Sequence, residues 1–171
     1  MKGIRELAYM NIREATEKIL ESLNSSNEIV RMEAQIAMVR LSDENPYQFL
    51  HYLEKPLALW EQVTLHELLI QHNLEVPAFE DWFKSENLSV VMFALEMTSW
   101  FKQVSSGDAI MGLFEHEDEN VRNTAFRVSG EIELARALPA MKQVYENETY
   151  KNKMEILTAF ARIPEEQHLD F

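Results

Sequence analysis

The sequence predicts an all-α protein, an α-α superhelix (a right-handed solenoid) of about five helical hairpins. Only four glycines and five prolines occur in 171 residues, which is too few for the many tight turns of an all-β fold. Hydrophobic residues make up 46% of the chain, as in an ordinary folded protein. Apolar residues also recur with helical spacing in segments about 30 residues apart.

Three helix-like segments share one pattern, and they read IVRMEAQIAMVRL (29–41), VVMFALEMTSWF (90–101) and NVRNTAFRVSGEI (120–132). In each, an alanine follows a valine by four positions, which places both on one helical face. A fourth segment, YKNKMEILTAFARI, places Tyr150 and Met154 in the same two positions. The period is about 30, with one repeat hidden in the first gap. The pairs in the first three segments are Val30 and Ala34, Val90 and Ala94, and Val121 and Ala125.

The hidden repeat is the segment 57–72, whose register against the other four remains open. Its apolar residues are Leu57, Leu65, Leu68 and Leu69. Shorter amphipathic stretches at 12–23, 46–54, 77–84, 108–115 and 135–146 supply the other half of each hairpin. We therefore predict one domain over 1–171, in which each hairpin has a shorter helix A and a longer helix B. After a tail or capping helix at 1–10, the hairpins cover 11–42, 45–73, 76–103, 106–133 and 135–163.

Prolines and capping residues mark the boundaries of these helices. Proline costs little at the first position of a helix, because the N–H it lacks has no partner there. Pro46, Pro77 and Pro139 fall at or near helix starts, Pro56 separates two helices and Pro164 follows the last one. Five residues are predicted helix N-caps or turn residues: Asn27, Asp43, Asn87, Ser105 and Asn147.

The stretch VRNTAFRVSGEIELARALPAMKQVYEN, from Val121, resembles a HEAT repeat. The resemblance rests on the Val-Arg pair that opens helix B, the alanine three residues after the arginine, and Gly-Glu-Ile at the end of the helix. It also rests on Ala137-Leu138-Pro139-Ala140-Met141 at the start of the next helix A. The segment from Val30-Arg31 to Leu41 matches the helix-B half, whereas 46–73 and 76–103 lack the Val-Arg pair. The resemblance implies a solenoid whose B helices line a concave surface.

Composition excludes several classes of function. The net charge is −13, from 16 Lys and Arg against 29 Asp and Glu, and no run of basic residues occurs. Nucleic acid and anionic membrane surfaces are therefore poor partners. The absence of cysteine excludes disulfides and thiolate chemistry. No apolar run approaches the roughly 18 residues that span a bilayer, and the charged N-terminus is not a signal peptide. We expect a cytoplasmic protein with no direct membrane insertion by this segment.

Two segments resemble metal sites, and neither has workable ligand spacing. His66 and His72 in HELLIQH are six residues apart, about 240° around a helix, whereas a zincin places them four apart. The acidic run 115–119 lacks the glycine and the alternating ligands of a calcium loop. It is better read as a turn whose acids favour the next helix N-terminus. With no phosphate loop or nucleophile elbow either, we predict no catalytic, cofactor-binding or metal-binding residues.

The outward positions of the B helices are the most informative feature outside the core. Many of them are large and apolar, where a solvated face would be charged, and such patches mark interaction sites. The alternative is that flanking positions such as Leu95 and Phe126 are buried between neighbouring B helices. We predict that Met32, Met92 and Trp100 share one partly exposed concave surface. The predicted partner-binding residues are Met32, Ile36, Arg40, Met92, Glu96, Trp100, Arg127 and Phe160.

These residues predict a scaffold or adaptor that binds a partner protein or peptide in the concave groove. Met, Trp and Phe side chains would anchor the partner, and Arg40 and Arg127 would fix its orientation. One alternative is a structural or assembly module of a larger, membrane-anchored protein. Another is a HEAT-like enzyme, a lyase or a DNA glycosylase, although the glycosylases use a basic face that this acidic chain lacks.

The N-terminal residues predict that the native protein continues upstream of Met1. The stretch 10–41 can be laid over 132–163 with an offset of 122, about four periods of 30. In that overlay GIRELAYM corresponds to the end of a helix B whose first turns are absent. A short capping helix over 3–10 is the alternative. The gene sequence upstream of Met1 distinguishes a longer protein from one that begins with a capping helix.

Overall fold

The computed structural model describes residues 3–4, 6, 10, 16–42 and 45–164. Within these residues the chain forms eight α-helices and five short 3-10 segments, and it has no β-strand. The predicted all-α class is therefore confirmed for this part of the chain. Asp43, and most of the predicted tail at 1–10 and of the first helix A before residue 16, lie outside the described residues.

The helices are numbered in chain order. They are α1 (Thr16–Ser22), α2 (Glu28–Leu41), α3 (Leu59–Gln71), α4 (Leu88–Trp100), α5 (Gly107–Met111), α6 (Glu119–Glu131), α7 (Leu138–Tyr145) and α8 (Tyr150–Arg162). The 3-10 segments are Gln48–Tyr52, Phe79–Trp82, Val104–Ser106, Gly112–Glu115 and Ala135–Ala137. The chain divides into two compact units. Unit 1 holds the residues up to Pro77 with Ser85–Val90, and unit 2 holds Ala78–Lys84 with the residues from Val91 onward.

Two of the predicted A helices are shorter than expected. The stretches 46–54 and 77–84 form only the 3-10 segments Gln48–Tyr52 and Phe79–Trp82. Such segments are short because their hydrogen-bond geometry is poorer than that of an α-helix. Large aromatic side chains anchor them instead, since Phe49, Phe79 and Trp82 are fully buried. Burial of these rings compensates for the missing helical turns.

The core of unit 1 lies between α2, the 3-10 segment Gln48–Tyr52 and α3. Tyr47 is fully buried, and its hydroxyl donates a 2.5 Å hydrogen bond to the Leu65 carbonyl oxygen. Burial raises the pKa of Tyr47 far above its ordinary value. Asn87 ties the start of α4 to this unit, because its side-chain amide donates to the carbonyls of Leu53 and Lys55 at 2.9 and 2.8 Å.

The core of unit 2 combines an aromatic cluster with a close helix pair. The Phe79 ring lies 5.7 to 6.4 Å from the rings of Trp82, Phe93 and Phe101, measured between centroids. Helices α6 and α8 approach so closely that a Cβ at Gly130 would lie 2.7 Å from the Ala159 Cα atom. Glycine is therefore the residue that permits this contact.

One turn geometry recurs before three of the longer helices. A side chain accepts a hydrogen bond from the backbone N–H two residues later, in the pairs Ser25 with Asn27, Ser85 with Asn87, and His116 with Asp118. The second residue of each pair then accepts from backbone N–H groups of the following helix. The N-cap at Asn27 is confirmed. Offsets of 60 and 31 separate the three turns, the same offsets that separate Val30, Val90 and Val121.

One C-terminal geometry also recurs, at the ends of α3, α4 and α6. Each ends in a Schellman motif with a left-handed residue at Asn73, Lys102 or Glu133, whose φ angles are 47°, 50° and 57°. The following N–H bonds to the carbonyl five residues earlier, from Leu74 to Leu69, Gln103 to Thr98, and Leu134 to Ser129. Glycine is the usual left-handed residue, so the side chains retained here carry a conformational cost.

These motifs define the register of the hidden segment. Aligning the Schellman motifs places Leu65 with Ala94 and Ala125, and it places Glu61 with Val90 and Val121. Thr98 and Ser129 each donate a hydroxyl to the carbonyl of the aligned alanine. In α3 the residue aligned with Thr98 and Ser129 is Leu69, which has no hydroxyl. The Tyr47 hydroxyl donates instead to the carbonyl of Leu65, the residue aligned with the alanines. The α3 register that the sequence left open is thus fixed by backbone geometry.

The predicted register of α8 is wrong by two residues. Tyr150 is 80% exposed and Met154 is 46% exposed, so neither occupies a core position. The buried residues are Asn152, Ile156, Ala159 and Ile163, which align with Val121, Ala125, Val128 and Ile132. Asn152 therefore takes the valine position, and its polar side chain hid the true register from a search for apolar residues. The aligned positions are 30, 61, 90, 121 and 152.

Candidate functional site

The candidate site is an open cleft in unit 2 of about 700 Å³. Helices α4, α6 and α8 present its walls, and the left-handed residues Lys102 and Glu133 contribute side chains at the helix ends. Trp100 ends α4 at the cleft and remains 65% exposed. We define the cleft by its lining residues Glu96, Ser99, Trp100, Lys102, Arg127, Gly130, Glu131, Glu133 and Arg162.

A chain of charged groups connects the three helices across the cleft. Arg127 binds Glu96 on α4, and its Nη1 atom lies 2.9 Å from both carboxylate oxygens of Glu131 on its own helix. Glu131 also accepts a 2.6 Å hydrogen bond from the Ser99 hydroxyl, and its backbone carbonyl accepts from Lys102. Arg162 on α8 lies 3.7 Å from the Glu131 carboxylate. The six charged lining residues comprise three acids and three bases, so the cleft is close to neutral in a chain of charge −13.

The carboxylate of Glu131 is the centre of this chain of charges. Burial alone would raise its pKa, but hydrogen bonds from Ser99 and Arg127 and the charges of Arg127 and Arg162 hold that pKa below its ordinary value. Burial alone would lower the pKa of Arg127, but the carboxylates of Glu131 and Glu96 raise it. Both groups are therefore charged at neutral pH.

Three of the eight predicted partner-binding residues line this cleft together: Glu96, Trp100 and Arg127. Met92 is half-buried on α4 and Phe160 is half-buried on α8, and neither lines it. The predicted register of α8 was two residues off. In the corrected register Phe160 aligns with Thr98 and Ser129, which are buried. The corrected register places Arg162 in line with Glu131 instead.

The other three predicted residues lie on α2 in unit 1. Arg40 is exposed and Ile36 is half-buried. Met32 is only 6% exposed, so the prediction that it lies on an open surface is wrong. Met32 lies two positions after the core valine position, where a side chain is still covered by neighbours. The flanking residues Leu95 and Phe126 are both fully buried, and the Phe126 ring lies 4.8 Å from that of Phe114 in the 3-10 segment Gly112–Glu115.

Sequence reasoning missed Arg162, Lys102 and Glu133 as lining residues. Arg162 was hidden by the wrong register of α8. Lys102 and Glu133 follow their helices, and only the backbone geometry shows that each has a left-handed conformation. A search for residues that follow the helix end by two positions, one period apart, would have found them.

Of the two segments that resembled metal sites, the acidic run has a structural role. Asp118 in the acidic run caps α6, and its carboxylate accepts from the N–H groups of Asn120 and Val121 at 2.8 and 3.2 Å. His66 is half-buried on α3, where burial lowers its pKa. Across the described ranges, no three His, Asp or Glu side chains are grouped so that they could hold a metal ion.

None of the helices that the structure describes has the length and apolar character needed to cross a membrane. No protein-family model matches the chain, and no curated protein sequence matches it. The resemblance to HEAT repeats therefore remains a prediction from the sequence.

Proposed function

We propose that this chain is a HEAT-type solenoid scaffold that binds a segment of a partner protein in the cleft of unit 2. The observation that carries the proposal is the exposed Trp100 beside a prearranged set of charged groups from three helices. Tryptophan and arginine are the residues that most often dominate binding energy at interfaces. Trp100 is 65% exposed, so much of its ring is available for contact with a partner.

The charged lining would set the orientation of the partner. Arg127 and Glu131 are already paired, so their geometry costs little side-chain entropy on binding. Glu96 and Arg162 are more exposed, and they offer one charge of each sign to a partner. Complementary charges mainly determine specificity and association rate. A polypeptide with an apolar side chain between charged groups fits this arrangement.

The ends of α4 and α6 also contribute to the cleft. Lys102 and Glu133 adopt the left-handed conformation, in which glycine would be less strained. Their side chains line the cleft. The repeated turns and helix ends support the solenoid part of the proposal, and we further propose a cytoplasmic location.

Crosslinking at the cleft tests this function. A photoreactive phenylalanine analogue at Trp100 should capture specific proteins in the native host, and the same analogue at Trp60 serves as the matched control. Trp60 is another exposed tryptophan, on α3 of unit 1. The captured protein is then purified and its Kd measured. We expect Trp100→Ala to raise the Kd about tenfold or more and Trp60→Ala to leave it unchanged. Equal crosslinking at the two positions would remove the support for the cleft.

A further inference from the structure

Helix α8 presents an apolar stripe on the side opposite its buried face. Tyr150, Met154, Leu157 and Ala161 are all exposed. At about 100° per residue they fall within roughly 60° of arc around the helix. Asn152, Ile156 and Ala159 are fully buried and lie on the other side. We name the four exposed residues the α8 stripe.

The α8 stripe aligns with a face of α6 that already accepts a helix. Asn123 on α6 donates a 2.9 Å hydrogen bond to Asn152 on α8, and Gly130 on α6 contacts Ala159. One period of 31 residues later, the positions of Asn123 and Gly130 are occupied by Met154 and Ala161. The small Ala161 would permit a close approach, as Gly130 does on α6. The shape of this face is therefore suited to a helix.

The charges around the α8 stripe select the chemistry of its occupant. Lys151 flanks the stripe on one side and Lys153 flanks it on the other, by the same helical spacing. The single carboxylate of α8, Glu155, is half-buried and lies nearer the buried face. An apolar stripe flanked by cations is unusual in a chain with a net charge of −13. It favours an occupant whose own apolar stripe is flanked by carboxylates.

We propose that the α8 stripe docks an amphipathic helix with acidic flanks from a partner protein. The helix lies along α8 as α8 lies along α6, and it buries Met154 and Leu157. Its carboxylates contact Lys151 and Lys153. The Lys151 ammonium is now 2.9 Å from the Asn120 side-chain oxygen, and the Lys153 ammonium is 2.9 Å from the Glu146 carbonyl oxygen. These are neutral acceptors, so an approaching carboxylate competes with them favourably.

Two synthetic peptides of about 20 residues, long enough to form a helix, provide the test. Both carry leucine at helical spacing, and one has glutamate on its flanks where the other has lysine. Fluorescence anisotropy with the full chain measures each Kd. We expect the acidic peptide to bind at least about tenfold more tightly than the basic one. Its affinity should fall with added salt.

Substitutions assign the binding to the α8 stripe. Leu157→Glu should weaken the acidic peptide about tenfold or more, whereas Val63→Glu, at another exposed apolar residue, should leave its Kd unchanged. Replacing Lys151 and Lys153 together by alanine should weaken binding and flatten its salt dependence. Circular dichroism verifies that each variant is folded. These residues do not line the cleft, so failure here leaves the cleft proposal standing.

Four outcomes would overturn the proposal. Equal affinity for the two peptides would show that charge does not select the occupant. An unchanged Kd in Leu157→Glu, or an equal loss in Val63→Glu, would place the binding elsewhere. Sedimentation of the chain alone addresses a second copy as the occupant: a dimer that Leu157→Glu dissociates would replace the partner helix by self-association.

Discussion

Two arginines, Arg31 in unit 1 and Arg122 in unit 2, have the same local role but different acidic partners. Each donates from Nη1 to the carbonyl six residues earlier, Ser25 at 3.0 Å and His116 at 2.8 Å. Each then pairs with a glutamate later in the chain. Arg31 lies 3.4 Å from Glu61, and Arg122 binds Glu148 through both carboxylate oxygens at 2.7 and 3.2 Å.

The difference lies in where each glutamate is placed. Glu61 is fully buried inside α3, in the position that valine occupies in α4 and α6. It accepts from the Gln35 amide at 3.2 Å and from the Ala58 N–H at 2.7 Å. Glu148 instead precedes α8, in a turn, where Asn152 also donates to it at 2.8 Å. The same Val-Arg signal thus builds the same turn, while the acid that completes it comes from unrelated positions.

Glu61→Ala should cause the largest loss of stability. It leaves the Arg31 guanidinium and the Gln35 amide in a buried site without their carboxylate, and breaking a buried pair costs about 3–5 kcal/mol. Denaturant unfolding measures the loss. Glu67→Ala is the matched control, because Glu67 is exposed on the same helix. Glu61→Gln should cost less, since its amide oxygen can still accept. A loss no larger than that of Glu67→Ala would mean that this buried pair contributes nothing.

Gly130→Ala should lower the free energy of unfolding by about 2 kcal/mol, within the range for overpacking. Alanine is ordinarily the better helix former by about 1 kcal/mol, so the expected sign depends on the contact with Ala159. A Cβ at Gly130 would meet the Ala159 backbone, which cannot rotate away. Thermal or denaturant unfolding measures the change.

Gly112→Ala is the control for this substitution. No heavy atom lies within 4 Å of a Cβ at Gly112, and its φ of −60° suits alanine. We therefore expect a neutral or slightly stabilising effect, up to about 1 kcal/mol. Destabilisation by Gly112→Ala equal to that of Gly130→Ala would show that the close approach of α6 and α8 is not the cause.

The comparison also shows how much of the fold the sequence could predict. The turns at Asn27 and Asn87 and the spacing of the valine positions followed from residue types that favour one local geometry. The positions of Glu61 and Asn152 did not, because a polar residue in a core position is stable only through partners that are distant in the chain. For the same reason the α3 register remained open and the α8 register was wrong.

The residues of the candidate site could be predicted where their helix carries a valine anchor. Glu96, Trp100 and Arg127 were found because their helices α4 and α6 carry the valine anchors. Arg162 was missed because α8 carries asparagine in that position. Met32 was misplaced because helical phase gives the direction of a side chain but not the neighbours that cover it.

Glu148→Gln should have the smallest effect on the free energy of unfolding. The dependence of that effect on pH distinguishes the contribution of the Glu148 charge. Burial alone would raise the pKa of Glu148, but hydrogen bonds from Arg122 and Asn152 hold it below the ordinary value of 4.5. A lowered folded-state pKa contributes stability above pH 4.5, and that stability is lost as the pH falls through the folded-state pKa.

Glu148→Gln should therefore be less stable than the wild type at pH 7, and the two should converge as the pH falls from 4.5 through the folded-state pKa of Glu148. Denaturant unfolding between pH 7 and pH 3 measures the difference. Glu146→Gln, at an exposed glutamate two residues earlier, should follow the wild type throughout. If the Glu148→Gln difference were constant with pH, the charge of Glu148 would not be what stabilises the turn. The shared role of Arg31 and Arg122 would then rest on their carbonyl contacts alone.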